Sequence, residues 1–118
     1  MVGYSQNQED VENQMTKYFE SNGKNSLKTL FTEKVLATLL ADEKMYKPAE
    51  LSLWLNKFVS DHPIQSVKTI HKINSRENFQ VLILSIKTGS GNKYRATITS
   101  KSEALRSRIV SHNSLIEV

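Results

Sequence analysis

His71 is the residue best placed by type and context to do chemistry. In Val67–Ile73, strict alternation sets Val67, Thr69, His71 and Ile73 on one side of a strand and Ser66, Lys68 and Lys72 on the other. An imidazole on the apolar side of a strand can act as a general base or anchor a ligand. The ordinary alternative is a core histidine hydrogen-bonded to a neighbour. Tyr94, in alternation with Ala96 and Ile98, points inward and can lend its hydroxyl to the same space. Trp54 and Phe58 share a helix face, where they stack a ligand or fill a core. The candidate pocket is therefore Trp54, Phe58, His71 and Tyr94.

The other reactive side chains form no recognisable constellation. His62, His71 and His112 do not sit at ligand spacing on one element, so no metal is expected. Ser111 and Ser114 have no histidine–acid partner at hand, and no catalytic residue is assigned. Gly89-Ser90-Gly91 reads as a hairpin, because no helix opening with Lys-Ser or Lys-Thr follows it as a phosphate loop requires. No cofactor motif is present. Lys68, Lys72, Lys93 and Arg95 fall on one polar face of two strands and offer a weak anion site. No aromatic platform is interleaved with them, so nucleic-acid binding is not expected.

Length and composition bound the rest. The chain has 118 residues, enough for one domain with its own core, with residues 1–6 read as a disordered or tag-like start. Without cysteine there is no disulfide, thiolate metal site or thiol nucleophile. The net charge of +4 is uneven: residues 1–33 carry three Lys against five Asp/Glu, and residues 34–118 carry thirteen Lys/Arg against seven Asp/Glu. A basic half attracts anionic partners, or is simply a solvated surface. Met1–Asp10 is polar and does not resemble an export signal, and no apolar run approaches a membrane span.

The elements that must position these residues follow in order. Val11, Met15, Tyr18 and Phe19 make one stripe of a helix over roughly 7–22, closed by Asn22-Gly23 with Gly23 as the left-handed residue. Asn25 or Ser26 can cap a short second helix that buries Leu27, Leu30 and Phe31. Val35–Leu40 suits either a helix or a strand, with the strand preferred. Pro48 and Glu50 open a third helix whose face is Leu51, Trp54, Leu55 and Phe58, widened by Leu53 and Val59. His62-Pro63 ends it. Strands then run through 66–73, 79–88 and 93–99, joined by turns at Asn74–Asn78 and Gly89–Asn92. A polar loop at Lys101–Ser107 leads to a last strand, Ile109–Val118. Helices followed by a strand meander make an α+β fold in which a curved antiparallel sheet wraps the third helix.

Phe79–Thr88 is the chain's most informative stretch. Phe79, Val81 and Ile83 point one way and Leu82, Leu84 and Ile86 the other, so both faces are apolar. The helices cover one face. The other needs a second copy, which predicts a homodimer with Leu82, Leu84 and Ile86, or their opposites, at the interface.

A resemblance adds to this reading. Its marks are Leu27–Phe31, Val35–Leu40, Tyr46-Lys47-Pro48-Ala49-Glu50 and Trp54-Leu55-Asn56-Lys57-Phe58. Asp61-His62-Pro63, Thr69-Ile70-His71-Lys72 and Thr88-Gly89-Ser90-Gly91 before Tyr94-Arg95 complete them. Over about residues 8–118 this pattern resembles the nuclear-transport-factor-two-like (cystatin-like, cone-shaped) superfamily, and within it a family of small bacterial proteins of unknown function. The resemblance implies a strand at Val35–Leu40, a conical pocket between sheet and third helix suited to a small apolar ligand, and frequent dimers. It also implies export of a mature form; without it, a cytoplasmic location is expected. Enzymes of the superfamily, the ketosteroid isomerases among them, use an acidic base inside the cone. The inward positions here are Thr69, His71, Tyr94 and Ala96, so a non-catalytic binding or assembly module is expected. An isomerase- or dehydratase-like enzyme built on His71 is the alternative.

Overall fold

The computed structural model describes residues 11–25, 27, 31, 34–75, 77–103, 106–110 and 112–118, without the side chains of residues 103, 106 and 107. Two helices pack on one mixed sheet. Helix α1 is Val11–Glu20, and the stripe read from the sequence, Val11, Met15, Tyr18 and Phe19, is the one it buries. Its end is a double turn. Asn22 N–H donates to the Phe19 carbonyl at 3.0 Å and Gly23 N–H to the Tyr18 carbonyl at 2.9 Å. That pairing makes Asn22 the first left-handed residue (φ 55°), with Gly23 (φ 86°) following it, one position earlier than the glycine suggests. Asn22 Oδ1 then accepts the Ile64 backbone N–H at 2.6 Å, tying the end of α1 to the start of a strand 42 residues on.

The short helix expected at 25–31 lies outside the described residues, apart from Asn25 and the buried Leu27 and Phe31. Val35–Leu39 is a strand, β1, whose buried side is Val35, Ala37 and Leu39. It turns through Leu40 and Ala41 into β2, Asp42–Tyr46, which the sequence reading missed. All of β2 but Tyr46 is exposed and most of it is charged, so neither alternation nor β-propensity betrays it. Helix α2 is Pro48–Asp61. Pro48 takes its first turn, and Glu50 Oε1 accepts the Lys47 backbone N–H at 2.9 Å. Its buried side is Leu51, Ser52, Leu55, Phe58 and Val59; Leu53, expected to widen that face, is 70% exposed.

Five strands complete the sheet: β3 Ile64–Asn74, β4 Phe79–Thr88, β5 Lys93–Glu103, β6 Arg106–Ile109 and β7 Asn113–Glu117. Their order is β2-β1-β7-β5-β4-β3, with β6 paired to β5. The β1–β7 pair is parallel and the others antiparallel, so the sheet is mixed where an antiparallel one was expected. The expected polar loop at 101–107 instead extends β5 and begins β6. The single last strand expected at 109–118 is two strands, broken around His112 (φ 70°). Asn113 holds the break: Oδ1 accepts the Thr99 N–H at 2.8 Å and Nδ2 donates to the Val110 carbonyl at 2.6 Å.

The core lies between the helices and one sheet face. Leu82, Leu84 and Ile86 of β4 are its centre, at 1%, 0% and 0% exposure. They were named as interface candidates. The helices choose this face of β4, so all three are sealed within the protomer, and the unclaimed side belongs to Phe79, Val81 and Ile83. Among the described residues no helix is long and apolar enough to cross a membrane.

Candidate functional site

Three of the four pocket candidates meet, and they meet around a different histidine. Trp54 and Phe58 are one turn apart on α2 and stack nearly parallel, 8° between planes and 5.6 Å between centroids. Phe58 and Tyr94 from β5 pack edge-to-face, with centroids 5.0 Å apart and planes at 89°. His62, one further turn along and past the helix end, lies 5.0 Å from Phe58 and 5.9 Å from Tyr94. The 54/58/62 spacing is the i, i+4, i+8 row of a helix face, so sequence periodicity carried the signal. His62 was passed over because it precedes Pro63 and so reads as a terminator. A surface groove of about 140 Å³ opens beside the row, lined by Leu40, Trp54, Lys57, Phe58, Asp61 and His62. Lys57 Nζ and Asp61 Oδ2 pair across its rim at 3.0 Å, an exposed ion pair worth little in energy. Phe58 and Tyr94 are buried, so Trp54 and His62 are the rings with surface towards the groove. Asp61, the carboxylate among the groove's described residues, is engaged by Lys57.

His71 is elsewhere. It is exposed, on the far side of the sheet from the helices. The reason is a bulge. Thr69 pairs with Leu84, but His71 pairs with Ile83, so Ile70 is an extra residue with no partner on β4. One inserted residue inverts every later side chain of the strand. His71 goes out beside Ile83, and Lys72 comes in opposite Leu82. There Lys72 Nζ meets Glu12 Oε1 of α1 at 2.9 Å, while Thr69 Oγ1 donates to Glu12 Oε2 at 2.7 Å. These bonds, the one from Lys72 first, hold the Glu12 carboxyl below the usual carboxylate range.

Between sheet and helices is a small cavity of about 40 Å³, walled by Met15, Phe19, Leu51, Leu55, Ile98 and Leu115 among others. No ionisable side chain is among its described lining residues. A cavity of this size has room for about three water-sized spheres and, being apolar, favours none of them. Nor do the described residues contain a group of three His, Asp or Glu able to hold a metal ion.

The sequence matches, over residues 12–112, the family described as "Domain of unknown function (DUF4783)". The chain belongs to the DUF4783 family. It is similar to the crystal structure of a DUF4783 family protein from Bacteroides uniformis, with a TM-score of 0.79 and 14% identity over 92% of this chain and 98% of that one. A DUF4783 family protein from Bacteroides fragilis gives 0.78 and 14%, over 92% and 100%. An NTF2-like protein from Cytophaga hutchinsonii gives 0.67 and 12%, over 91% and 92%. No match is found among curated proteins. At these identities the likeness shows the fold alone, an NTF2-like, cystatin-like one.

In this DUF4783 chain the exposed sheet face carries the remaining candidates. Lys68 and Arg95 both flank Ser85, and Lys87 stands directly opposite Lys93. Lys72 was expected to join Lys68, Lys93 and Arg95, but the Ile70 bulge turns it to the helix side. Like charges directly across a strand pair are unfavourable, so the Lys87–Lys93 pair favours an anion nearby. Apolar residues adjoin this basic end: Ile73 opposite Val81, and Ile83 one row on. Ile70 and Ile73 are 45% and 48% exposed.

Proposed function

We propose that this DUF4783 chain is a non-catalytic binding or assembly module that works as a homodimer, paired through the outer face of its sheet. The observation that carries the reading is the row of Ile73, Val81 and Ile83, apolar and only partly covered within the chain. A contiguous apolar patch on a polar domain marks an interface. A second copy is the occupant that suits it. A two-fold axis through Ile83 sets the apolar rows of the two chains against each other, and carries the basic end of one, at Lys87 and Lys93, away from the same end of its partner. The absence of catalysis is argued from the inner cavity, whose described lining has no acid or base. A sheet curved around α2 fits this reading. The inner cavity takes a small apolar ligand of few heavy atoms.

Light scattering at micromolar concentration tests the assembly. The expected mass is twice that of the 13.5 kDa chain. Ile83→Lys should give a monomer that melts like the wild type. Leu84→Lys, by contrast, should unfold the protein. A wild-type monomer, or a folded Ile83→Lys that keeps the dimer mass, overturns the proposal.

A further inference from the structure

The inner face of the sheet changes character at one end. Along β4 the inward residues run Ile86, Leu84, Leu82 and then Gln80; along β5 they run Ala96, Ile98 and then Ser100. Gln80 pairs with Ser100 on one side and Asn74 on the other, so a row of three uncharged polar residues continues the apolar core surface. Val11, the first described residue of α1, stands over this row. Together with Ser75, Asn78, Phe79 and Ser102 these residues line a cavity of about 290 Å³. That is near the floor of the range for small-ligand sites, about 300–1,000 Å³.

The polar groups are arranged, not merely present. Gln80 Nε2 donates to Asn74 Oδ1 at 2.9 Å, which fixes both amides and leaves the Asn74 NH₂ and the Gln80 carbonyl available. Ser75 Oγ accepts the backbone N–H groups of Glu77 and Phe79, each at 3.3 Å, so its proton is free to be donated. Ser100 is 4% exposed and stands among the lining residues, so its side chain adds a hydroxyl to the polar row.

We infer that this cavity is a binding site for a neutral sugar, a single pyranose ring. The amides and hydroxyls both donate and accept, which is what a ring of hydroxyl groups requires. The described lining offers uncharged donors and acceptors and no charged side chain, which suits a neutral ligand. Val11 supplies an apolar wall for the C–H side of such a ring. The site shares no residue with the inner apolar cavity or with the aromatic groove.

Saturation-transfer NMR on the whole chain, with D-glucose, D-galactose and N-acetyl-D-glucosamine at millimolar concentration, tests this. At least one sugar should receive saturation at its ring protons and shift the backbone amides of Gln80 and Ser100. Ser100→Ala should weaken that sugar about fivefold, the loss of one hydrogen bond of about 1 kcal/mol. Asn74→Ala, at an exposed position, should weaken it similarly with unchanged melting, and it serves if the Ser100 variant does not fold. Silence from all three sugars overturns the inference. So does binding that neither substitution weakens, or a larger amide shift with phosphate or spermidine than with any sugar.

Discussion

Lys72 Nζ lies 2.9 Å from Glu12 Oε1, an ion pair joining strand β3 to helix α1 across 60 residues of chain. Its pH dependence has a definite sign. Hydrogen bonds from Lys72 and then Thr69 lower the folded pKa of Glu12 below its ordinary value of 4.5. A depressed carboxylate stabilises above its unfolded pKa, and that stabilisation is lost as pH falls through the folded value. Glu12→Gln should therefore melt below the wild type at pH 7, and the gap should close in acid below the usual carboxylate range. Both partners are partly solvated, so the gap is small, about 1 kcal/mol or less. Thermal melts from neutral to acid pH measure it. A gap that ignores pH would mean that Glu12 acts by packing alone.

Tyr18 makes the opposite titration. Its hydroxyl donates to Asn56 Oδ1 at 2.5 Å, and burial pushes its pKa up to about 12. A folded state that holds its proton more tightly is fully favoured below the unfolded phenol value and loses that advantage as pH rises towards the folded one. Stability should fall between about pH 10 and pH 12, the window from the ordinary phenol value to the raised one. Tyr18→Phe should flatten that fall. At neutral pH it should cost about 1–2 kcal/mol, since the Asn56 carbonyl loses its donor. Urea titrations at neutral and alkaline pH separate the two effects, and a variant with the same alkaline slope as the wild type would refute the assignment.

The bulge at Ile70 makes a third case, because one residue decides two. His71→Ala should leave stability within about 0.5 kcal/mol, as an exposed surface change does. Deleting Ile70 should remove the extra residue while leaving His71 opposite Ile83 on the outer face and Lys72 opposite Leu82, with its Glu12 pair kept. Glu12→Gln should then cost as much in the deletion background as in the wild type, measured by urea unfolding. A deletion variant in which Glu12→Gln costs nothing would mean that the strand has slipped register after residue 69.

Periodicity explains what could be read from the sequence and what could not. Helix α1, β1, β4 and the start of β5 each bury one regular stripe, and residues such as Met15, Ala37 and Ala96 were legible because nothing interrupts the count. On β4 both stripes are apolar, so alternation alone did not say which goes inward, and Leu84, expected at an interface, lies in the core. Reading failed where a single residue breaks the count or where burial leaves no trace. Ile70 is an ordinary β-branched residue and nothing in its type announces a bulge. β2 pairs through its backbone while its side chains face water, so Asp42–Met45 looks like a loop. The break at His112 rests on Asn113, a side chain that bonds the backbone of residues 99 and 110. The superfamily fold was legible because turns and apolar spacing define it. The polar cavity was not, since Asn74, Gln80 and Ser100 come from three strands and share a row only once their register is known.

The two left-handed glycines give the last prediction, because their surroundings differ and their backbones do not. Gly23 has φ 86° and Gly91 φ 94°, both in the region where a side chain is strained. At Gly91 a new Cβ would meet nothing within 4 Å. At Gly23 it would stand 2.9 Å from Val59 Cγ2, a buried atom of α2, and 3.5 Å from the Tyr18 hydroxyl. Gly91→Ala should therefore cost only the backbone strain, about 1 kcal/mol. Gly23→Ala should cost that and more, about 2–4 kcal/mol in all, because Val59 is packed and has little room to move. Urea unfolding of both variants gives the comparison directly. If Gly23→Ala proves no worse than Gly91→Ala, the turn after α1 is free to move away from α2. The bond from Asn22 Oδ1 to the Ile64 N–H would then not be what holds the helix end against the sheet.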